Sequence, residues 1–364
     1  NTTTSFYTGN TSNIIRNQKE INNSKNNKYS SEIEYSQPIT DSLVAKMGIL
    51  LKFEEIKSDL KTTDFDAVTQ EFSVFNTLLS RNITTNNSIF QPNTGIEINK
   101  NKYNLSASLG TTIIQNQNQL SYLGLLSNLN KNYFLPFVET NINYKFSKSK
   151  NLWINYNYKY ELPKPKELLA VEDVSNPLIT TIGNPNLDCN KYHYFFISFR
   201  NFDTKTKSGY SFYVGTYFYD NQVVSSSIYD SNRKQNVTYQ NISGNFNNWL
   251  GGNWNKTIKK EANTYKLMFG LYANYGLNQG FTDGQLYEAK NYQLRPRVNF
   301  TYDYGEIFSF APSYSYVYNI SKYVNYNIDS ASSFSHKLNL QLTNYWPKNW
   351  TFGNDFGYTY NSNI

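Results

Sequence analysis

The sequence predicts an all-β protein, a transmembrane antiparallel up-and-down β-barrel, on three observations. First, "LWINYNYKYEL" (152–162) alternates strictly: Leu152, Ile154, Tyr156, Tyr158, Tyr160 and Leu162 share one side of an extended chain, and Trp153, Asn155, Asn157, Lys159 and Glu161 the other. Alternation of this kind over ten or so residues marks a strand with one apolar and one polar face. Second, mean hydropathy is −0.62, and no stretch approaches the roughly 20 consecutive apolar residues of a spanning helix. Third, connections alternate between short polar turns and longer links, as in barrels with one tight and one looped rim.

About fourteen segments carry the alternation: 28–37, 43–58, 86–98, 103–115, 133–146, 152–162, 191–201, 209–227, 237–256, 264–281, 286–303, 307–322, 334–346 and 349–361. In "YKLMFGLYANYGLN", Leu267, Phe269 and Leu271 oppose Lys266 and Asn274; in "YQLRPRVNFTY", Val298 and Phe300 oppose Arg295 and Arg297. An arginine at the lipid midplane costs about 2–4 kcal/mol. The lipid-facing set is therefore Tyr156, Tyr158, Leu267, Phe269, Leu271, Val298, Phe300 and Phe352, and the lumen-facing set Asn155, Asn157, Lys266, Asn274, Arg295 and Arg297.

The short turns are "SQPITDS", "NKNK", "FSKSKN", "NFDTKTKSG", "IKKEANT", "DYGE" and "YWPKN"; the longer links include 59–85, 116–132 and 163–190. Lysines at the turns (Lys100, Lys102, Lys148, Lys150, Lys205, Lys207, Lys259, Lys260) suit a rim against anionic lipid head groups, or are simply polar turn residues. Pro92, Pro136, Pro296 and Pro312 recur in an apolar-x-Pro beginning, each in phase with its apolar side. Because proline donates nothing to a ladder, they are expected at strand ends or bulges near the long-loop rim.

Lipid is favoured over a protein core for the apolar face. The strands exceed the usual five or six residues of soluble sheets, aromatic residues sit at the ends of the apolar faces as girdles do, and the opposite faces are too polar for a sandwich core. Composition agrees, with 33 Tyr, 24 Phe and 5 Trp favouring strands. The formal charge of +7 is spread without blocks and argues weakly for nucleic acid. A single cysteine, Cys189, excludes an intramolecular disulfide.

The link 163–190 follows "YKYELPKP" and contains "NPL" and then "GNPNL": Gly183, Asn184, Pro185, Asn186 and Leu187. Locally this is a turn, since Asn-Pro presets an extended residue and glycine flanked by asparagine tolerates positive φ. The arrangement, with the aromatic strand "KYHYFFISFRN" after it, resembles the barrel region of Bacteroidetes-type TonB-dependent outer-membrane receptors; "YFLPFVETNINYKFSKSKNLWINYNYKYELPKP" and "EYSQPITDS" are also similar. Asp188, Cys189 and Asn190 stand where the family commonly has Lys-Pro-Glu. The resemblance implies a 22-stranded barrel filled by an N-terminal plug, with an energy-coupling segment ahead of it. Residues 1–364 would then be a barrel segment, with the plug and some strands elsewhere in a longer protein. Fourteen strands could also close by themselves; the resemblance instead predicts that the first and last strands are unpaired with each other.

No chemistry of catalysis is legible. His193 and His336 lie on strands without further ligands at metal spacing, and no phosphate loop, nucleophile elbow or paired-carboxylate motif is present. The expected protein is not an enzyme and takes no cofactor. Two function classes remain: a receptor barrel importing a scarce ligand, and a plugless barrel acting as scaffold or passive porin. Expected partners are outer-membrane lipids and, by resemblance, its own plug and an energy-coupling protein. A surface lipoprotein or other outer-membrane proteins are further candidates, and nucleic acid is not expected.

Overall fold

The computed structural model describes residues 2–8, 11–176, 178–231, 233–346 and 350–362. Pro177 of "NPL" and residues 347–349 of the "YWPKN" turn lie outside the described residues. In chain order the strands are β1 (Thr2–Thr8), β2 (Thr11–Thr40), β3 (Leu43–Asp66), β4 (Glu71–Phe75), β5 (Arg81–Asn99), β6 (Tyr103–Tyr122), β7 (Leu125–Ser147) and β8 (Lys150–Glu161). After the one-turn helix α1 (Pro165–Leu168) come β9 (Glu172–Asn176), β10 (Ile179–Ile182), β11 (Asn190–Asp203), β12 (Ser208–Tyr229), β13 (Gln235–Ile242), β14 (Phe246–Lys260) and β15 (Asn263–Thr282). The last are β16 (Gln285–Tyr304), β17 (Phe308–Val324), β18 (Ser330–Trp346) and β19 (Trp350–Asn361).

Fourteen of these build one antiparallel wall in the order β2, β3, β5, β6, β7, β8, β11, β12, β14, β15, β16, β17, β18, β19. The short strands β4, β9, β10 and β13 belong to the connections between wall strands. Among the described residues β1 pairs with β2 alone and β19 with β18 alone, so the sheet is open and its first and last strands are unpaired with each other, as expected. The free edges carry unpaired backbone N–H and C=O groups, which hydrocarbon does not tolerate.

Register carries one apolar face across the wall. Cross-strand partners share a face, and one row reads Leu43, Ile98, Leu105, Ile142, Ile154, Ile197, Val214, Leu250, Ala273, Leu294, Tyr318, Phe334, apolar on every strand it crosses. A slip of one residue anywhere would move a polar face into this row, which is why the pattern fixes the register so strongly. The height of the apolar zone is legible on β15 and β16. Tyr265 and Tyr302 stack near the short-turn rim at 5.1 Å between ring centroids, and Tyr275 and Tyr292 stack at 4.8 Å toward the other. Ten residues at about 3.4 Å each, tilted about 40°, rise roughly 26 Å, the height of the apolar band of an outer-membrane barrel.

The short turns at 41–42, 100–102, 148–149, 204–207, 261–262 and 305–307 gather at one rim. At the other rim three expectations need correction. The stretches 59–85 and 116–132 are largely strand: β3 and β5 continue to Asp66 and from Arg81, and β6 and β7 meet at a two-residue turn, Leu123 and Gly124, with φ of 54° and 75°. Alternation stops there because the outward face turns polar, with Asp59, Lys61, Gln117, Gln119, Asn130 and Asn132, so nothing in the pattern marked a strand. Segment 237–256 is two strands, broken at Gly244 (φ 91°), whose N–H bonds to Tyr219 O at 3.0 Å. The prolines are not at strand ends or near the long-loop rim. Pro92 and Pro296 lie inside β5 and β16, and Pro312 four residues into β17 from a short turn. They mark lapses of a ladder instead: the β5–β6 pairing skips Pro92, the β16–β17 pairing skips Pro296 and Pro312, and the β7–β8 pairing ends at Val138, short of Pro136.

Candidate functional site: the polar face and the link folded on it

The register places Tyr156, Tyr158, Leu267, Phe269, Leu271, Val298, Phe300 and Phe352 on the apolar face, and Asn155, Asn157, Lys266, Asn274, Arg295 and Arg297 on the opposite one. Phe269 and Leu271 are each 47% exposed on their side; Asn155 is 7% exposed on the other. That burial has a cause: Asn155 Nδ2 donates to Asn141 Oδ1 at 2.7 Å, and Asn155 Oδ1 accepts from Asn157 Nδ2 at 2.6 Å. Asn274 Nδ2 bonds to Asn247 Oδ1 at 2.8 Å, and Lys266 pairs with Asp303 at 2.8 Å. Amide-to-amide bonds between neighbouring strands satisfy the polar face where no core covers it.

The polar face also holds aromatic rings that the pattern reading passed over. One cross-strand row runs Asn143, Trp153, Ser198, Tyr213, Gly251, Tyr272, Arg295. The next runs Asn141, Asn155, Phe196, Gly215, Trp249, Asn274, Gln293. A Cβ at Gly251 would collide with the Tyr213 ring, and one at Gly215 with the Trp249 ring. The rings therefore lie over bare backbone, one face covering a glycine. Trp153 meets Phe196 at 5.4 Å, and Tyr217 meets Trp249 at 4.9 Å. Lys159 Nζ stands 4.8 Å over the Tyr194 ring, and the Arg295 guanidinium 5.6 Å over Tyr272. The sequence signal was available: glycines in a strand mark close approach of another group.

At the far end of β8 the link folds onto the polar side. Ile89, Ile114, Tyr133 and Leu135 form a buried cluster with Cys189, and Tyr160 and Leu162 pack against it. The face is decided by exposure: Tyr133 and Leu135 are 6% and 2% exposed, and Phe134 between them 72%. "GNPNL" is the hinge of this fold-back. Gly183 N–H bonds to Leu169 O at 3.1 Å, so close that any Cβ at Gly183 would strike the Leu169 backbone. Asn184 Oδ1 accepts from Asn186 N at 2.9 Å, and Asn184 Nδ2 donates to Tyr239 O at 2.9 Å. Leu187 is fully buried, and Lys131 Nζ donates to the carbonyls of Pro185 and Leu187. Arg81 pairs with Asp173 at 2.9 Å on the far side of the link. Burial pushes the Cys189 thiol up to about 12 and lowers the Lys131 ammonium from its ordinary value.

Under and around this cover runs a buried amide ladder. Asn116 Nδ2 donates to Asn87 Oδ1 at 2.6 Å, Asn118 Nδ2 to Asn116 Oδ1 at 2.5 Å, and Thr85 Oγ1 to Asn118 Oδ1 at 2.9 Å. Both histidines lie on the apolar side. His193 Nδ1 meets Tyr156 OH at 2.8 Å and its Nε2 meets Asp220 at 3.1 Å; His336 Nδ1 meets Tyr314 OH at 2.7 Å. Among the described residues no group of three potential metal ligands is found.

A continuous antiparallel wall, an apolar zone of membrane height and an amide-lined opposite face agree with the comparison to known families: residues 1–353 match the outer membrane protein beta-barrel family. The chain belongs to that family. It is a protein of the bacterial outer membrane. Among curated proteins no match to the chain is found. For an outer-membrane barrel the two faces have different solvents, and the rows above are its chemistry on the polar side.

Proposed function

We propose that this barrel is the wall of a TonB-dependent receptor of the Bacteroidetes type, importing a scarce ligand across the outer membrane, with the apolar face toward lipid and the amide face toward the lumen. The observation that carries the reading is the link, in which the "GNPNL" motif of the resemblance folds back on the polar side and is held there by Lys131, Asn184 and the Cys189 cluster. Size supports it. Fourteen strands already form an open wall, and barrels of 16 to 22 strands enclose either an aqueous channel or a plugged lumen. In this reading the total is 22 strands, and the plug and an energy-coupling protein are partners. Lys150 Nζ, 5.6 Å and 5.7 Å over the Phe146 and Phe199 rings, supports contact of the short-turn rim with lipid head groups.

The test is reconstitution of the full-length gene product in planar bilayers beside uptake by energised cells. The expected result is little steady conductance and growth-limiting loss of uptake on deletion. Steady ohmic conductance without energised uptake would replace the import reading by the passive porin.

A further inference from the structure

We infer that the polar face carries an anion-binding stripe built by register, and that the solutes this barrel admits are anionic. The inference deepens the import reading and rests on it only for the word "admits"; a porin with the same wall would show the same preference.

The stripe is one cross-strand row directly below the aromatic row, two residues nearer the short turns on β8. It runs Lys145, Asn151, Arg200, Ser211, Asn253, Gly270, Arg297, Ser315, Lys337, Thr359. Four cations stand in it, the spacers are neutral, and no acid occurs. None of the four forms an ion pair among the described residues. Elsewhere cations do find acids: Lys46 bridges Glu34 and Glu97, Arg81 meets Asp173, and Lys266, two rows nearer the short turns on the same face, meets Asp303.

Geometry turns this row into a track rather than a scatter of charges. Strands lie about 4.8 Å apart, so Lys145 to Arg200 and Arg297 to Lys337 each span about 10 Å, and Arg200 to Arg297 about 19 Å. Strand tilt of about 40° makes a cross-strand row climb the wall obliquely. Its lower end opens into a recess of about 840 Å³ that Lys145, Lys148 and Arg200 line with amides and hydroxyls and with no acid. In the adjoining turn Asp203 is occupied by Lys205 N at 2.8 Å and Thr206 Oγ1 at 2.9 Å. Gaps beyond a Debye length of about 8 Å at physiological salt mean that the cations act singly on a small anion and together only on a multiply charged one. The class that fits is therefore a polyanionic solute carrying several carboxylate or phosphate groups. Arg295 and the rings of Trp153, Tyr213 and Tyr272 border its path one row above.

The test uses the full-length protein in detergent and titrates inorganic tripolyphosphate by calorimetry at low salt, with glucose as the neutral probe. Expected are saturable tripolyphosphate binding that weakens as salt rises, no heat from glucose, and at least tenfold weaker binding in Arg200→Gln/Arg297→Gln. Lys145→Gln/Lys337→Gln, at the ends of the row, is the second variant, and Lys57→Gln the control that keeps full affinity. Folding of each variant is checked by heat-modifiable gel mobility. Absence of binding to the wild type, or wild-type affinity in both folded double variants, overturns the stripe. Loss of energised uptake is read separately, so failure of the import reading leaves this result standing, and the converse holds.

Discussion

The wall between β2 and β7 and the wall between β14 and β19 begin alike at the short turns and end differently. On β3 the apolar face stops at Phe53, and the strand runs on through Glu54 to Asp66. On β5 to β7 the last apolar rungs of the outward face are Phe90, Ile113 and Phe134, and beyond them that face is polar, with Asn86, Ser88, Gln115, Gln117, Asn130 and Asn132. On β15 and β16 only a short stretch follows the Tyr275–Tyr292 pair before the turn at Asp283 and Gly284. The difference shows where stability comes from at each height. Inside the band the apolar face needs no partner in the protein, because lipid accepts it. Above the band there is no lipid, so the taller side holds itself with buried amide bonds and with the link, the cover that supplies a small core of its own.

The largest expected effect breaks the comparison by height on one face. Leu271→Arg, within the band, should destabilise the folded protein in vesicles by about 2–4 kcal/mol, and Gln117→Arg, on the same face above the band, by less than about 1 kcal/mol. Urea unfolding in lipid measures both, and equal losses would mean that the band does not end where the apolar rows end.

Next in size is the small core under the link. Leu187→Ala or Leu168→Ala, each removing a fully buried side chain, should cost about 2–5 kcal/mol of local stability. The readout is alkylation of the buried Cys189, which should accelerate while the wall keeps its folded gel mobility. Wild-type Cys189 should resist alkylation at pH 9, where an ordinary thiol is already half ionised. Its thiol is raised to about 12 in the fold, so the stability it contributes is complete below the ordinary value of 9.0 and is lost as pH rises toward 12. A smooth increase in alkylation centred at pH 9 would show that the link is not closed over it.

Asn116→Ala tests the amide ladder. It leaves Asn87 Oδ1 and Asn118 Nδ2 without their partner, and should cost about 1–3 kcal/mol. Hydrogen exchange should rise in β5 and β6 above Phe90 and not in β15 and β16. Protection that falls equally in both regions would undo the distinction between them.

The smallest effect contrasts the two hairpin tips. Leu123 and Asp283 both adopt positive φ, 54° and 49°, ahead of a glycine, but only Asp suits the left-handed region. Leu123→Asn should stabilise by about 0.5–1 kcal/mol and Asp283→Asn should be close to neutral, as read from urea midpoints.

Legibility followed solvent. The alternation in "LWINYNYKYEL" and in 264–303 was enough to place those strands of the band and the short turns among the described residues, because each residue there answers to one of two solvents. It failed at 59–85 and 116–132, where the outward face meets water and the inward face carries buried asparagines such as Asn116 and Asn118, so polar residues serve on either face. It also failed at Pro92, Pro296 and Pro312, since a proline on a strand shows that a hydrogen bond is missing without showing which neighbour does without it.

What the sequence determined alone is the two-faced strand and its length in the band: these depend on residues within a single strand, whose periodicity is a local property. Only the tertiary structure decided which strands sit side by side, and with that the rows. Lys145, Arg200, Arg297 and Lys337 are distant in sequence, and of them the alternation singled out Arg297 alone. They align because successive hairpins fix each strand's offset against the last, so one sequence position is carried across the wall by hydrogen bonds that no single strand contains.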